Sequence, residues 1–188
     1  MGALCDRGQP GRSWVIRTLE VVLELRPTPF DHPDSVRLIA ELQQVYRERY
    51  GGEDATAVDP REFDSPDGFF VVGCADGEPV ACGGWRARQA SEGAPLRDGD
   101  AEVKRMYVSA AQRGRGYARA VLAELERSAA AAGRRRIVLE TGTMQPEAIG
   151  LYVSAGYEPM PAFGAYVGSP TSRYFAKPLP AGADRLAG

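Results

Sequence analysis

The chain has 188 residues, 23 Lys and Arg against 25 Asp and Glu, a net charge of −2 and one histidine. At roughly 150 residues per domain this is one domain with short tails, and the balanced charge excludes a general nucleic-acid or membrane-surface binder, which needs a basic excess. The lone His32 excludes a two-histidine zinc site and disfavours a histidine-relayed nucleophile, so acid–base chemistry falls to carboxylates, tyrosine, backbone amides or a cofactor.

Residues 1–17 are rich in Gly, Arg and polar groups and read as a tail, anchored at most by Trp14. Residues 19–26 (LEVVLELR) read as a first strand, ended by Pro27 and Pro29. Asp34 or Ser35 can cap a helix running to about Tyr50, with Val36, Ile39, Leu42 or Gln43, and Tyr46 on one stripe. An acidic, turn-rich stretch over 53–67 leaves room for one helical turn at 59–64. Residues 69–75 and 79–88 flank Asp76-Gly77, a hairpin signal. Residues 101–109 read as a strand, followed by a Gly-Arg turn and a helix to about Ala132 with apolar Ala118, Val121, Leu122, Leu125 and Ala129. A strand over 136–140, a helix opened by Pro146 and stopped by Gly156, and short closing strands at 157–160 and 171–178 complete the domain, leaving 180–188 as a tail. Hairpins followed by β-α-β units imply an α/β (α+β) fold with a mixed sheet and helices on both faces.

Three cysteines, Cys5, Cys74 and Cys82, are too widely spaced for a zinc knuckle, and their odd number suits a reducing compartment. Cys74 and Cys82 lie in apolar runs, the pattern of buried free thiols. No stretch reaches the ~18 apolar residues of a membrane span, and the N-terminus lacks the apolar core of a signal peptide. A cytoplasmic protein is expected.

The informative segment is Arg113-Gly114-Arg115-Gly116-Tyr117-Ala118-Arg119, where a strand runs out and a helix begins. Helix N-termini present unpaired N–H groups, glycines let a phosphate approach the backbone, and arginines add charge and bidentate donors. These are the parts of a phosphate or pyrophosphate cradle; the plainer alternative is an ordinary connection with solvated arginines. A P-loop is excluded because no Gly-Lys-Ser/Thr follows. A dinucleotide site needs a third glycine where Arg119 stands. Glu140, ending the next strand, is placed where such a site would hold a ribose, but the remaining chain is too short for a doubly wound sheet.

Arg113-x-x-Gly116-x-Ala118 after a strand resembles the acyl-CoA signature Q/R-x-x-G-x-G/A of the GNAT acetyltransferases. Gln145-Pro-Glu-Ala148-Ile-x-Leu151-Tyr152 followed by Gly156-Tyr157 resembles the family's second motif, N-x-x-A-x-x-L-Y then G-F/Y. The element order is similar to the GNAT fold over about residues 18–179, which implies a mixed, mostly antiparallel sheet of six to seven strands whose fourth and fifth strands splay apart, here 101–109 and 136–141. The resemblance implies an N-acetyltransferase using acetyl-CoA as cosubstrate, with no metal, acting on a small-molecule or peptide amine by direct transfer in a ternary complex, as a monomer or homodimer. A non-catalytic acyl-CoA-binding regulator of the same fold is the alternative, and a dinucleotide-binding oxidoreductase the remote one.

By position, the resemblance places the pyrophosphate on Arg113, Gly114, Arg115, Gly116, Tyr117, Ala118 and Arg119, the pantetheine arm along Met106, Tyr107 and Val108, and Tyr152 beside the thioester sulfur. Gln145 stands where many members have Asn. Tyr152 is then the general acid for the leaving thiolate, since a phenol is protonated at neutral pH; its bland alternative is packing on a helix face. Glu102 is the candidate general base by its similarity to the base position of the histone-acetylating branch, the alternative being an ion pair with Lys104 or Arg105. A backbone N–H near Val108 would polarise the carbonyl. Trp85, Arg86 and Tyr166 are acceptor-site candidates, Trp85 either stacking on the acceptor or filling a sheet face. Residues 28–34 and 53–67 are expected to border that side, and Arg134-Arg135-Arg136 reads as a helix exit and strand start rather than a nucleic-acid patch.

Overall fold

The computed structural model describes residues 14–18, 21–90 and 95–180, with side chains from residue 23 onward. The strands are β1 (Trp14–Thr18), β2 (Val21–Pro27), β3 (Gly68–Ala75), β4 (Glu78–Arg88), β5 (Asp100–Val108), β6 (Arg136–Gly142), β7 (Glu158–Pro159) and β8 (Ser172–Pro178). The helices are α1 (Pro33–Tyr50), α2 (Tyr117–Ala131) and α3 (Pro146–Ser154). All eight strands join one sheet in the order β1-β2-β3-β4-β5-β6-β8-β7, antiparallel at every pairing except β5 with β6. The strand beyond the expected six to seven is the edge strand β1. Trp14–Thr18, a β-prone run placed in the tail by its neighbours' composition, pairs with Val21–Leu25. Residues 1–13 and 181–188, both expected as tail, lie outside the described residues.

The chain order follows from local chemistry. Asp76 and Gly77 both adopt positive φ, 52° and 82°, the tight hairpin turn whose twist matches the flanking strands. The turn at 59–64 is a short 3₁₀ segment, Pro60–Phe63, closed by a reciprocal capping box between Asp59 and Glu62. His32, not Asp34 or Ser35, caps α1: its imidazole accepts from the Asp34 N–H at 3.2 Å. The buried stripe of α1 is Ser35, Leu38 and Leu42, with Ile39, Val45 and Tyr46 partly covered, whereas Val36 is 52% exposed. The stripe therefore starts one residue out of phase with the expected one.

Helices cover both faces. Val121, Leu122, Leu125 and Ala129 of α2 and Tyr152 of α3 pack with Leu23, Leu25, Val71, Trp85, Val103 and Ile137 on one side. On the other, Leu38 and Leu42 of α1 pack with Phe63, Phe70, Val72, Cys74, Cys82 and Tyr107. Cys82 is the expected buried free thiol; Cys74 is buried but disulfide-bonded rather than free. The three consecutive arginines each find a local partner: Arg134 on Asp67, Arg135 on the Asp98 carbonyl and Arg136 on Asp100. No helix among the described residues is long and apolar enough to cross a membrane.

The pairing of β5 with β6 positions the site. The two strands run in parallel only over Asp100–Glu102 and Arg136–Val138. The closed end is clamped by the Arg136 guanidinium on the Asp100 carboxylate at 2.6 and 2.8 Å, with Asp100 1% exposed. Beyond Glu102 the strands part, and β5 keeps its ladder to β4 alone.

Candidate active site

The gap between the parted strands holds a cavity of about 330 Å³. One wall is β5 from Val103 to Val108; the floor toward the closed end carries Glu140 and Thr141 of β6; the far wall is Gln145, Ala148, Leu151 and Tyr152 of α3 with its N-terminal approach; and the mouth is Arg113, Gly114, Gly116, Tyr117, Ala118 and Arg119. Two distant motifs therefore meet on one cavity. Of the residues expected at the cofactor, all but Arg115 line it; Arg115 is solvent-exposed.

The turn before α2 has the form a phosphate cradle requires. Gly116 is the N-cap at φ 81°, Gly114 lies at φ 77°, and no side chain caps the helix. Both values sit in the region that a residue with a Cβ rarely adopts. The first helical bond runs from Ala120 N–H to the Gly116 carbonyl at 3.1 Å, which leaves the amides of Tyr117, Ala118 and Arg119 as the unpaired N-terminal donors. The Arg113 side chain folds back, its Nε–H donating to the Val108 carbonyl at 3.2 Å and its guanidinium lying 5.9 Å from the Tyr107 ring centre. Arg119 ties α2 to α3 through the Ser154 hydroxyl at 2.6 Å.

β5 carries an irregularity where it faces the cavity. Its register against β4 shifts between Cys82 and Gly84, and Arg105 there takes φ 55°, a left-handed conformation for a non-glycine residue. Such a bulge stores roughly 1–3 kcal/mol and re-aims a side chain. The Arg105 guanidinium is held by an ion pair to Asp54 and by the Thr56 carbonyl at 3.2 Å. Asp54 is in turn fixed by the Thr56 N–H at 2.8 Å and the Tyr166 hydroxyl at 2.7 Å. The segment 53–58 is thereby strapped over the opening, joined to the late loop through Tyr166, so this part of the acidic stretch does border the cavity.

Tyr152 is 6% exposed and lines the cavity, its ring tilted against Tyr157 and Phe175 with ring centres 5.6 and 6.4 Å away. Burial, aided by the negative field of Glu140, pushes its phenol well above the ordinary tyrosine value, so it is a protonated donor at any physiological pH.

Other expected site residues are placed differently. Glu102 does not line this cavity. It is buried at 3% exposure and accepts from Arg86 Nε at 2.9 Å and Lys104 Nζ at 3.1 Å, with Arg88 at 3.6 Å. Burial opposes its ionisation, but the cations outweigh burial and hold the carboxyl below its usual range. A carboxylate pinned by three cations is a poor proton acceptor, so its geometry is that of an ion-pair hub, with Lys104 but not Arg105 among its partners. Arg86 belongs to the same hub, bridging Glu102 and Glu62 at 2.9 and 2.7 Å. Trp85 is 1% exposed on the α2 side of the sheet, its indole N–H donating to the Ser128 hydroxyl at 2.9 Å. Strand alternation sends Trp85 and Arg86 to opposite faces, and Trp85 fills the core instead of meeting an acceptor. Tyr166 does face open space, lining a second cavity of about 260 Å³ and a small third one.

Tyr46, Asp54, Arg105, Glu140 and Thr141 also line the main cavity, and none was an expected site residue. Two carried a signal. Lys104-Arg105 are successive charges inside a largely apolar strand, which alternation alone cannot expose, and Glu140 is a carboxylate at the end of the apolar run Ile137-Val138-Leu139.

Residues 37–157 match the acetyltransferase (GNAT) family model. A curated "IAA acetyltransferase" from Azospirillum brasilense is 35% identical over 144 residues, covering 77% of this chain and 90% of that protein. Among solved structures, an acetyltransferase from Thermus thermophilus is 26% identical with a TM-score of 0.58, over 84% of this chain and 97% of that one. A GNAT superfamily phosphinothricin acetyltransferase from Sinorhizobium meliloti, in complex with AcCoA, shares the fold at 19% identity and a TM-score of 0.57, over 82% of this chain and 87% of that one. With an eight-stranded sheet opened between β5 and β6, an uncapped glycine turn and the matched residues, the chain belongs to the GNAT family of acetyltransferases.

Proposed function

We propose that the protein transfers an acetyl group from acetyl-CoA to the primary amine of a small molecule, directly, within a ternary complex. The observation that carries this reading is the single cavity on which the uncapped turn Gly114–Ala118, the unpaired edge of β5 and the Tyr152 phenol converge. The pyrophosphate of the cofactor would rest on the amides of Tyr117, Ala118 and Arg119 at the positive end of α2, with Arg113 and Arg115 near its charge. The pantetheine arm would take the place of a strand beside Met106, Tyr107 and Val108, whose outward backbone groups β6 leaves free. That requires Arg113 to release the Val108 carbonyl, which costs one hydrogen bond on an exposed side chain. Gln145 and Tyr152 would then flank the thioester. The acceptor would be a small molecule, in keeping with the name of the Azospirillum relative.

Direct transfer is supported by the state of the free thiol among the described residues. Cys82 is 0% exposed, and burial pushes its thiol well above its ordinary value; a thiol in that state is not a nucleophile. On this reading the amine attacks the thioester itself. Tyr152 supplies the proton that the departing thiolate needs.

The test is a thiol-release assay with acetyl-CoA over a panel of amines. Wild-type protein should release CoA with at least one amine. Tyr152→Phe should lower kcat about 100-fold, the scale of one positioned proton donor, with acetyl-CoA affinity unchanged. An unchanged kcat at saturating substrate would remove Tyr152 from the chemistry.

A further inference from the structure

Three cavities adjoin at the open end of the sheet. The second shares Tyr46, Asp54, Glu140, Thr141 and Gln145 with the main one, and the small third cavity, about 120 Å³, lies against the Glu102 hub. Glu140 alone lines all three. No residue of the turn 113–119 lines the second cavity, which reaches Tyr50, Tyr166 and Ser172, so a molecule entering by it would meet Glu140 away from the cofactor's pyrophosphate. No lysine or arginine lines that cavity among the described residues; three carboxylates do, Glu53, Asp54 and Glu140. Glu53 is paired with Arg47 and Asp54 with Arg105, which leaves Glu140 as the lining carboxylate without an ion pair among the described residues.

From this geometry, and resting on the acetyl-transfer reading above, we infer that the second cavity admits the acceptor as a protonated primary amine on a polar, hydroxyl-bearing small molecule, and that Glu140 receives the ammonium and takes its proton. The lining hydroxyls of Tyr50, Thr171 and Ser172 provide donors and acceptors for the rest of the molecule. The walls are close. The α-hydrogen side of Gly142 abuts the Tyr50 hydroxyl, so a methyl there would collide with it, and that hydroxyl accepts the Met144 N–H at 3.0 Å.

In the transfer step the ammonium gives one proton to the Glu140 carboxylate. The freed lone pair forms the C–N bond while the carbonyl electrons move to oxygen. Collapse of that intermediate breaks the C–S bond, and the thiolate takes the Tyr152 proton. The second nitrogen proton restores Tyr152, and Glu140 returns its proton to solvent. The products are the amide, CoA thiol and one proton.

The charged and titratable groups facing Glu140 are Lys104 and Glu102 from β5, Tyr46 from α1, Asp54 from the strap, Tyr152 from α3 and Tyr174 from β8. Lys104 is committed to Glu102 at 3.1 Å. Burial raises the Glu140 carboxyl above the usual carboxylate range, whereas the neighbouring Ser172 side chain acts in the opposite sense. A carboxylate moved toward neutral pH is a stronger base, and it makes activity fall earlier on acidification.

The experiment measures kcat/KM against pH with the best amine from the panel. Wild type should lose activity on the acidic side as Glu140 protonates. Glu140→Gln should fall about 100-fold near neutral pH, lose that acidic limb, and keep wild-type acetyl-CoA affinity and melting temperature. Ser172→Ala keeps the carboxylate and removes the neighbouring hydroxyl that favours its charge, so its acidic limb should move to higher pH. A Glu140→Gln variant with the wild-type acidic limb and rate, or a Ser172→Ala limb that stays in place, overturns the inference while leaving acetyl transfer standing. A best amine that is anionic or uncharged at its working pH overturns the acceptor class. If no amine supports thiol release by wild-type protein, the transfer reading and this inference fall together.

Discussion

The two ends of the cavity are built from different materials. The end proposed for the cofactor is backbone: one uninterrupted run, Arg113–Arg119, whose amides and positive-φ glycines face outward. The end proposed for the acceptor is side chains: Tyr46 from α1, Asp54 from the strap, Glu140 and Thr141 from β6, Tyr166 and Ser172 from the late segment, brought together by the splay. Backbone recognition depends on local conformation and tolerates almost any neighbouring side chain. A side-chain constellation depends on four elements arriving in register, and it can be changed residue by residue without touching the fold. One scaffold can thus keep its donor and vary its acceptor.

The comparison is first tested at the closed end of the splay, which both halves share. Glu102→Gln removes the hub, leaving Lys104 buried without its anion and Arg86 with Glu62 alone. Breaking such a pair costs about 3 kcal/mol or more, which urea unfolding would register. Because the folded-state carboxyl is held below its usual range, the stability it adds is present above the unfolded carboxylate pKa and is lost as pH falls through the depressed value. A variant as stable as wild type would contradict the hub assignment.

A smaller effect separates the two ends. Gly116→Val places a β-branched residue at φ 81°, where the strain is in the backbone since a Cβ there meets open space. It should weaken acetyl-CoA about tenfold, or ~1.4 kcal/mol, by calorimetry, with the KM for amine unchanged. An equal loss at both substrates would mean that the ends are not separable. Smallest of all, Trp85→Phe loses the Ser128 hydrogen bond and should cost about 1 kcal/mol of stability, with no change in amine KM. A raised amine KM without a stability loss would return Trp85 to the acceptor site.

The same contrast explains what could be read from the chain alone. The turn at Gly114-x-Gly116 and the Gln145–Tyr152 helix were legible because each is contiguous and its spacing is dictated by local geometry. Trp85 and Arg86 were misplaced because composition names an aromatic and a cation at a strand end without saying which face each takes; alternation sent one into the core and the other into the hub. The Asp54–Arg105 strap was invisible because its partners lie 51 positions apart and depend on a left-handed kink at Arg105 that no residue type announces. β1 was lost for a different reason: an edge strand of five residues adjoining a Gly- and Arg-rich segment has too little context to show its period.

The central claim is that acetyl passes straight from the cofactor end to the acceptor end without resting on the protein. It is tested most directly by mixing the protein with radiolabelled acetyl-CoA before any amine is added. Direct transfer predicts no label retained on the protein and no thiol released until amine arrives, with intersecting initial-velocity lines thereafter. A labelled protein with a stoichiometric burst of thiol, and parallel lines, would contradict it.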